Sequence, residues 1–348
     1  MRGGHEGPFA SRPAGSAIVR PYARFAPTAV VGHHPASRQE GLAIARYLIR
    51  RITQSVFILL GLVIAVFFVT HLLGDPARLM LRPEATEEQV QALRESLGLN
   101  DSLATQFSRY MSDLVRGDFG DSLWQRVPAL PIAVDRIPAT LYLAGVTLLI
   151  AIPLALVLGI VSAIRPRSVA DRLVTVVALA GVSTADFWLG LMLIIVFAVE
   201  LGWLPTSGYG GPSYVILPAL ALAVRPIGRI SQVVRSAMLE EMSKGYVTTA
   251  RAKGLAERVV VLRHTLKNAA LPILTLMGDE AAVMLNGAVV IETVFGWPGI
   301  GILLIQAIER RDLPLIEAAV VCIAVMIVTV NLLIDLTYSW FDPRVRYL

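Results

Sequence analysis

The residues of this chain that could do chemistry are few and oddly placed. Asp279 and Glu280 stand side by side in an apolar stretch, Asp186 interrupts a second, and Arg225 and Arg229 occupy the later half of a third. A lone charge at the centre of a bilayer costs about 2.5–3.5 kcal/mol on insertion scales. Asp186, Asp279 and Glu280 must therefore face a water-filled path or an opposite charge. Adjacent helical residues point roughly 100° apart, so Asp279 and Glu280 cannot both face one narrow line. Two readings stand. Either one carboxylate lines a translocation path, where it would attract a substrate ammonium, while the other pairs with Arg225 or a second chain; or the acids only hold helices together. Enzymatic arrangements are missing. The five histidines (His5, His33, His34, His71 and His264) form no cluster, and no lysine lies in an apolar stretch to serve an intramembrane serine. The one cysteine, Cys322, excludes a disulfide framework and a cysteine-based metal site, and no metal site is expected. No G-x-x-x-x-G-K-[ST] loop is present, so the chain is not expected to hydrolyse ATP itself.

A second concentration of charge is polar throughout. Residues 240–271 read EEMSKGYVTTARAKGLAERVVVLRHTLKNAAL and hold all three lysines of the chain, Lys244, Lys253 and Lys267. Helical pattern runs on both sides of Gly254: Val247, Ala250 and Arg251 precede it, and Val259, Leu262, Leu266 and Ala270 follow. A helix–glycine–helix elbow with a basic face suits the membrane surface, where it would present a short helix to a cytoplasmic partner. Gly254 fits as the elbow if its φ is positive, and the expected tight turn would leave no room for a side chain. The plainer reading is a solvated basic loop.

These groups need a membrane to position them. Of the 348 residues 55% are apolar and only 16% charged, with a mean hydropathy of +0.65; soluble domains carry about 25% charge. Apolar runs long enough to cross a bilayer fall at 52–73, 141–164, 173–199, 214–234, 272–291 and 315–336, predicting an all-α polytopic protein with six transmembrane helices. With both termini inside, the inner segments hold sixteen Lys and Arg against nine outside, the direction the positive-inside rule favours. The expected organisation is a disordered cytoplasmic extension at 1–45, a first span within 46–74, an extracytoplasmic helical loop at 75–138, a core of five spans at 139–338 and a cytoplasmic tail at 339–348. Residues 1–40 lack the apolar run of a signal peptide. In the outer loop, Thr86 and Gln89 are spaced as a capping box before Val90, Leu93 and Leu97, with Gly98 as stop. A second helix is capped by Asp101 or Ser102, carries Leu103, Phe107, Tyr110 and Leu114 on one face, and stops at Gly117. These helices either pack on the span ends or dock an external partner.

Ordered motifs run the length of the chain. LGLN (97–100), VRGDFGDSL (115–123), RIPATLYLA (136–144), FWLGL (187–191), LGWLPTSG (201–208), YVTTARAKGL (246–255), LRHTLKNAALPIL (262–274), IETVFGWPGIG (291–301) and FDPRVR (341–346) follow one another in that order. The set resembles the oligopeptide/dipeptide-type permeases of ATP-binding-cassette importers, from about Arg46 to the C-terminus, and the basic elbow resembles their cytoplasmic "EAA" loop. The resemblance implies a type I importer permease fold and half of a pathway for peptide uptake across a bacterial or archaeal plasma membrane. Its implied partners are a second permease, two ATPase subunits that bind ATP and Mg, an extracytoplasmic solute-binding protein and membrane lipid; no nucleic acid is implied. It places ATPase coupling on 241–254, with Glu241, Tyr246, Thr249, Ala250, Arg251, Ala252, Lys253 and Gly254 as the site. Thr248, Thr249 and Ala250 replace the literal Glu-Ala-Ala. Ala185, Asp186, Arg225, Asp279 and Glu280 also depart from the family's usual residues. The rival class is a stand-alone secondary transporter or channel, for which internal repeats are expected and none is seen.

Overall fold

A computed structural model describes residues 36–72, 76–81, 85–96 and 98–341, with side chains described for 49–70, 77–78, 80–81, 85–96 and 98–337. The expected extension up to residue 35, Leu97 of the LGLN motif and most of the FDPRVR tail lie outside this range. The chain is built almost wholly of helices. Among the described residues the only β pairing is an isolated bridge between Asp121 and Pro128.

Helix α1 runs Ala36–Leu72 and starts upstream of the boundary expected at residue 46. Its first turns, rich in Ala, Arg, Gln, Glu and Leu, are strong helix formers. After it follow α2 (Pro76–Met80), α3 (Glu87–Ser96), α4 (Leu103–Arg116) and α5 (Ala129–Val134). The capping box forms in both directions: Thr86 N–H donates to Gln89 Oε1 at 3.1 Å, and Gln89 N–H donates to Thr86 Oγ1 at 3.4 Å. Ser102, not Asp101, caps α4, and Gly117 ends it at φ 75°. Phe107 and Tyr110 of α4 lie against Phe67 of α1, with ring centroids 5.2 and 5.4 Å away. Helix α4 thus packs on the end of α1.

The core holds α6 (Ile137–Ile164), α7 (Val169–Ser183), α8 (Asp186–Leu193) continuing into a π-helical stretch Ile194–Glu200, α9 (Pro212–Met242), α10 (Gly245–Ala252), α11 (Glu257–Val259) with a π-helical stretch Val260–Thr265, α12 (Leu266–Phe295), α13 (Ile300–Glu309) and α14 (Leu313–Phe341). Among the described residues five helical segments are long and apolar enough to cross a membrane, and the bent pair α7–α8 has the length and composition of a sixth, either as a broken span or as a re-entrant loop. The third apolar run is thus not one helix. It breaks between Ser183 and Asp186 and turns through 105°, because Thr184 and Ala185 take extended backbone angles.

Helix α9 is the central post, packed by α6, α7, α8 and α12. Its contacts are close because small residues face the neighbours. A Cβ on Gly228 would lie 2.6 Å from the carbonyl oxygen of Ala178, so only glycine fits that crossing. One apolar core joins α5, α6, α9, α12, α13 and α14 at the end away from the polar elbow, and a second joins α6, α9 and α12 toward the elbow.

Candidate functional site

The polar elbow folds as a rigid projection. Helix α9 ends at Met242, and α10 begins at Gly245. Glu241 holds the turn between them by accepting from Lys244 Nζ at 2.5 Å and Tyr246 Oη at 2.8 Å. That hydrogen bond to Glu241 raises the Lys244 pKa, and burial raises that of Tyr246; both groups keep their protons at neutral pH. Val247 and Ala250 are buried on Val260 with Tyr246 beside them. Beyond the elbow, Arg251 grips Glu257 in a two-bond fork, Nε to Oε2 at 3.1 Å and Nη2 to Oε1 at 2.6 Å. Thr249, Arg251, Ala252, Lys253 and Gly254 remain exposed.

The eight residues expected at this site therefore divide. Ala250 is buried within the chain, and Glu241 and Tyr246 fix the helix in place, so the outward face is carried by the other five. Gly254 has φ 75°, as an elbow glycine requires, but an added Cβ would meet nothing within 4 Å. The expected lack of room is corrected: the constraint there is backbone angle alone. The apolar stripe after the elbow is corrected too. Val259 and Leu262 are exposed, while Val260, Val261, Thr265 and Ala269 are buried. The π-helical turn, with its i→i+5 bonding, takes more residues per turn than an α-helix and so changes which positions face the core, although Leu266 still packs against it.

The intramembrane charges meet around α9. Arg225 and Arg229 sit one turn apart on that helix and flank its midpoint. Arg229 forms an ion pair with Glu280 and reaches Asp279 at 3.9 Å. The side chain of Glu280 is only 2% exposed and that of Asp279 is 60% exposed, as adjacent helical positions demand. The expected partner Arg225 is thus corrected to Arg229, which stands level with Glu280 on α12. Asp186 opens α8 just after the break, and its Oδ2 lies 3.8 Å from where a Cβ on Gly287 would be. Arg225 acts electrostatically on both Asp186 and Glu280 yet makes no ion pair within 4 Å among the described residues. The structure brings Asp186, Asp279 and Glu280 into one neighbourhood of α8, α9 and α12. Between α1 and α14, Arg51 pairs with Asp335 at 3.2 Å.

Three buried carboxylates escaped the sequence reading. Glu292 accepts from Thr140 Oγ1 at 2.5 Å, Gly301 N–H at 2.7 Å and Ile302 N–H at 3.1 Å, and so caps α13. Asp312 accepts from Ser122 Oγ at 2.5 Å, Trp124 N–H at 3.1 Å and Leu315 N–H at 3.3 Å. Asp171 accepts from Ser162 and from Arg167 N–H at 2.8 Å, and takes the Arg235 fork at 2.6 and 3.0 Å. Two had a readable signal: Ser168 and Asp171 share capping-box spacing, and Asp312 stands where an N-cap precedes Leu313.

Comparisons with known proteins agree with this architecture. The model of the family "Binding-protein-dependent transport system inner membrane component" matches residues 155–347, and that of its N-terminal region matches 44–144. The glutathione transport system permease protein GsiC of Escherichia coli (strain K12) is 38% identical over 302 residues, covering 86% of this chain and 99% of the relative. The same-named protein of Salmonella paratyphi A is 37% identical over the same shares. A solved amino acid ABC transporter crystallised with histidines superposes with a TM-score of 0.48 at 18% identity, over 62% of this chain and 94% of that one. The chain belongs to the binding-protein-dependent inner-membrane permease family, in its oligopeptide-type branch: it is a multi-pass permease subunit of an ATP-binding-cassette importer, a system that also needs a partner permease, an ATPase and a binding protein.

Proposed function

We propose that this chain supplies half of an inward pathway for small peptides and passes the ATPase cycle to that pathway through α10. In this reading it pairs with one second permease and two ATPase subunits, receives substrate from an extracytoplasmic binding protein, and keeps both termini in the cytoplasm, where the Lys and Arg excess lies. It performs no chemistry of its own; ATP and Mg sit on the ATPase subunits. Its relatives named for glutathione, a small peptide with free carboxylates and an ammonium, support the substrate class.

The observation that carries the coupling role is the build of α10. A short helix leaves α9 and is fixed by Glu241, Tyr246, Val247 and Ala250 so that it cannot rock freely. Its other face is left to solvent. A push on that face moves α9, the post against which the pathway helices pack. Asp186, Asp279 and Glu280, gathered on α8, α9 and α12, line the pathway in this proposal, with Asp279 the most open of them. Thr249→Trp and Ala252→Trp test the coupling role. Each is expected to reduce ATPase co-purification and uptake at least about tenfold, with normal membrane insertion, because both positions are exposed and cost the fold little. Full ATPase retention with normal uptake in both variants would refute the assignment.

A further inference from the structure

Arg225 is a charge in this membrane domain that has no ion-pair partner within 4 Å among the described residues. It lies near the midpoint of α9 and is exposed. Asp279 and Glu280 are both engaged by Arg229 one turn away. Asp186, on the other side, stays beyond ion-pair distance, and among the described residues no carboxylate comes within 4 Å of the Arg225 guanidinium. Gln232 shares the Arg225 and Arg229 face of α9 by spacing, and its amide nitrogen is buried with no acceptor. Arg225 therefore offers an exposed planar cation, with an exposed carboxylate, Asp279, on the helix α12 packed against α9. A guanidinium presents paired N–H groups that match a carboxylate in a two-bond fork. A charge left alone in a membrane is costly enough that an unanswered one marks a functional site.

We infer that Arg225 receives the carboxylate of a zwitterionic substrate during passage, with Asp279 positioned for its ammonium, so that this permease itself selects for a free carboxylate. The inference rests on the pathway reading given above. The charges agree with it: Arg229 is committed to the buried Glu280 and reaches the exposed Asp279 only at 3.9 Å, while Arg225 has no carboxylate within 4 Å among the described residues. A substrate carrying both signs would replace water on both groups together. An uncharged ligand would leave both stranded.

The test uses the complete transporter in proteoliposomes with its binding protein. A tripeptide mixture is offered as free acids and again as C-terminal carboxamides, and internalised peptide is quantified by mass spectrometry per assembled complex. Binding-protein preference is common to all variants, so the acid-to-amide ratio of each variant relative to wild type reports the permease alone. Arg225→Gln is expected to lower that ratio about tenfold or more, the factor carried by a hydrogen bond to a charged group; Arg225→Lys, which keeps the charge, should lose only part of it. An unchanged ratio in both variants overturns the inference. So does a fall in complex yield with the ratio unchanged, which would assign Arg225 to a carboxylate of the partner permease. The pathway reading is checked separately with Asp279→Cys in a Cys322→Ala background. Labelling by a water-soluble thiol reagent, together with an unchanged ratio in the Arg225 variants, would leave the pathway standing and sink the carboxylate role. Absence of labelling would sink both.

Discussion

Two sets of buried charge in this protein are handled in opposite ways. Glu292 and Asp312 are fully enclosed, and each accepts three hydrogen bonds, Glu292 from Thr140, Gly301 and Ile302 and Asp312 from Ser122, Trp124 and Leu315, so that each ties its own segment to one far away in sequence. Trp297 closes that region, donating from Nε1 to the carbonyl of Ala139 at 2.9 Å and stacking on Tyr142. Around Arg225, by contrast, Arg229 pairs closely with Glu280 and loosely with Asp279, while Arg225 and Asp186 make no ion pair within 4 Å among the described residues. Glu292 and Asp312 act as linchpins with both carboxylate oxygens used, which fixes segments distant in sequence to each other. The group around Arg225 keeps part of its polarity uncommitted, as a path for charged molecules requires. Satisfaction, rather than charge alone, separates a structural carboxylate from one available to a substrate.

The comparison breaks most visibly at Glu292. In Glu292→Ala, the Gly301 and Ile302 amides and the Thr140 hydroxyl lose their acceptor, at about 1–3 kcal/mol for each buried donor left unpaired. That is a large share of the roughly 5–15 kcal/mol that keeps a typical protein folded. The expected result is little or no folded protein in detergent, measured by monodisperse yield and thermal melting. A melting temperature within a few degrees of wild type would mean this knot is held by Trp297 and its apolar packing instead.

A smaller effect is expected at Arg229. Arg229→Gln leaves Glu280 buried without its cation, a loss of about 3–5 kcal/mol for one partner of a buried pair. Adding Glu280→Gln removes the stranded charge and should restore most of the lost thermal stability. A double variant no more stable than the single one would show that Glu280 is not stabilised through Arg229. The same measurement on Asp279→Asn should show nearly wild-type stability, since that side chain is open to solvent.

Much of this was legible before any coordinates. The spans followed from apolar run length alone, and the caps of α3 and α4 followed from Thr86, Gln89, Ser102 and Gly117, because capping is a local interaction. What stayed hidden depended on two chain segments meeting. Glu292 lies inside a quoted motif, but its partner Thr140 is 152 positions away, and no local pattern connects them. The pairing of Glu280 with Arg229 rather than Arg225 depends on the register of α9 against α12, which hydrophobic periodicity does not set to one turn. The π-helical turn at Val260–Thr265 hid the buried face after the elbow, since reading a stripe at 3.6 residues per turn assumes an unbroken α-helix.

The smallest effect belongs to Gly254, where neither side chains nor buried charge set the constraint. Its backbone is left-handed at φ 75°, and the space around it is open. A residue with a Cβ there is opposed only by its own backbone, at about 1–2 kcal/mol for most side chains and less for Asn or Asp, which tolerate this region. Gly254→Ala should therefore lower melting temperature slightly, and Gly254→Asn less. Neither change should alter folded yield. Transport separates the two possible causes of any larger defect. If the elbow acts only as a turn, uptake should follow the backbone cost, with alanine worse than asparagine. If an ATPase surface closes over the open space at Gly254, uptake should follow side-chain volume, with asparagine and aspartate worse than alanine despite their easier backbone. Uptake and ATPase co-purification for the three variants, ranked against melting temperature, decide between them. The coupling role assigned to α10 requires the second ranking.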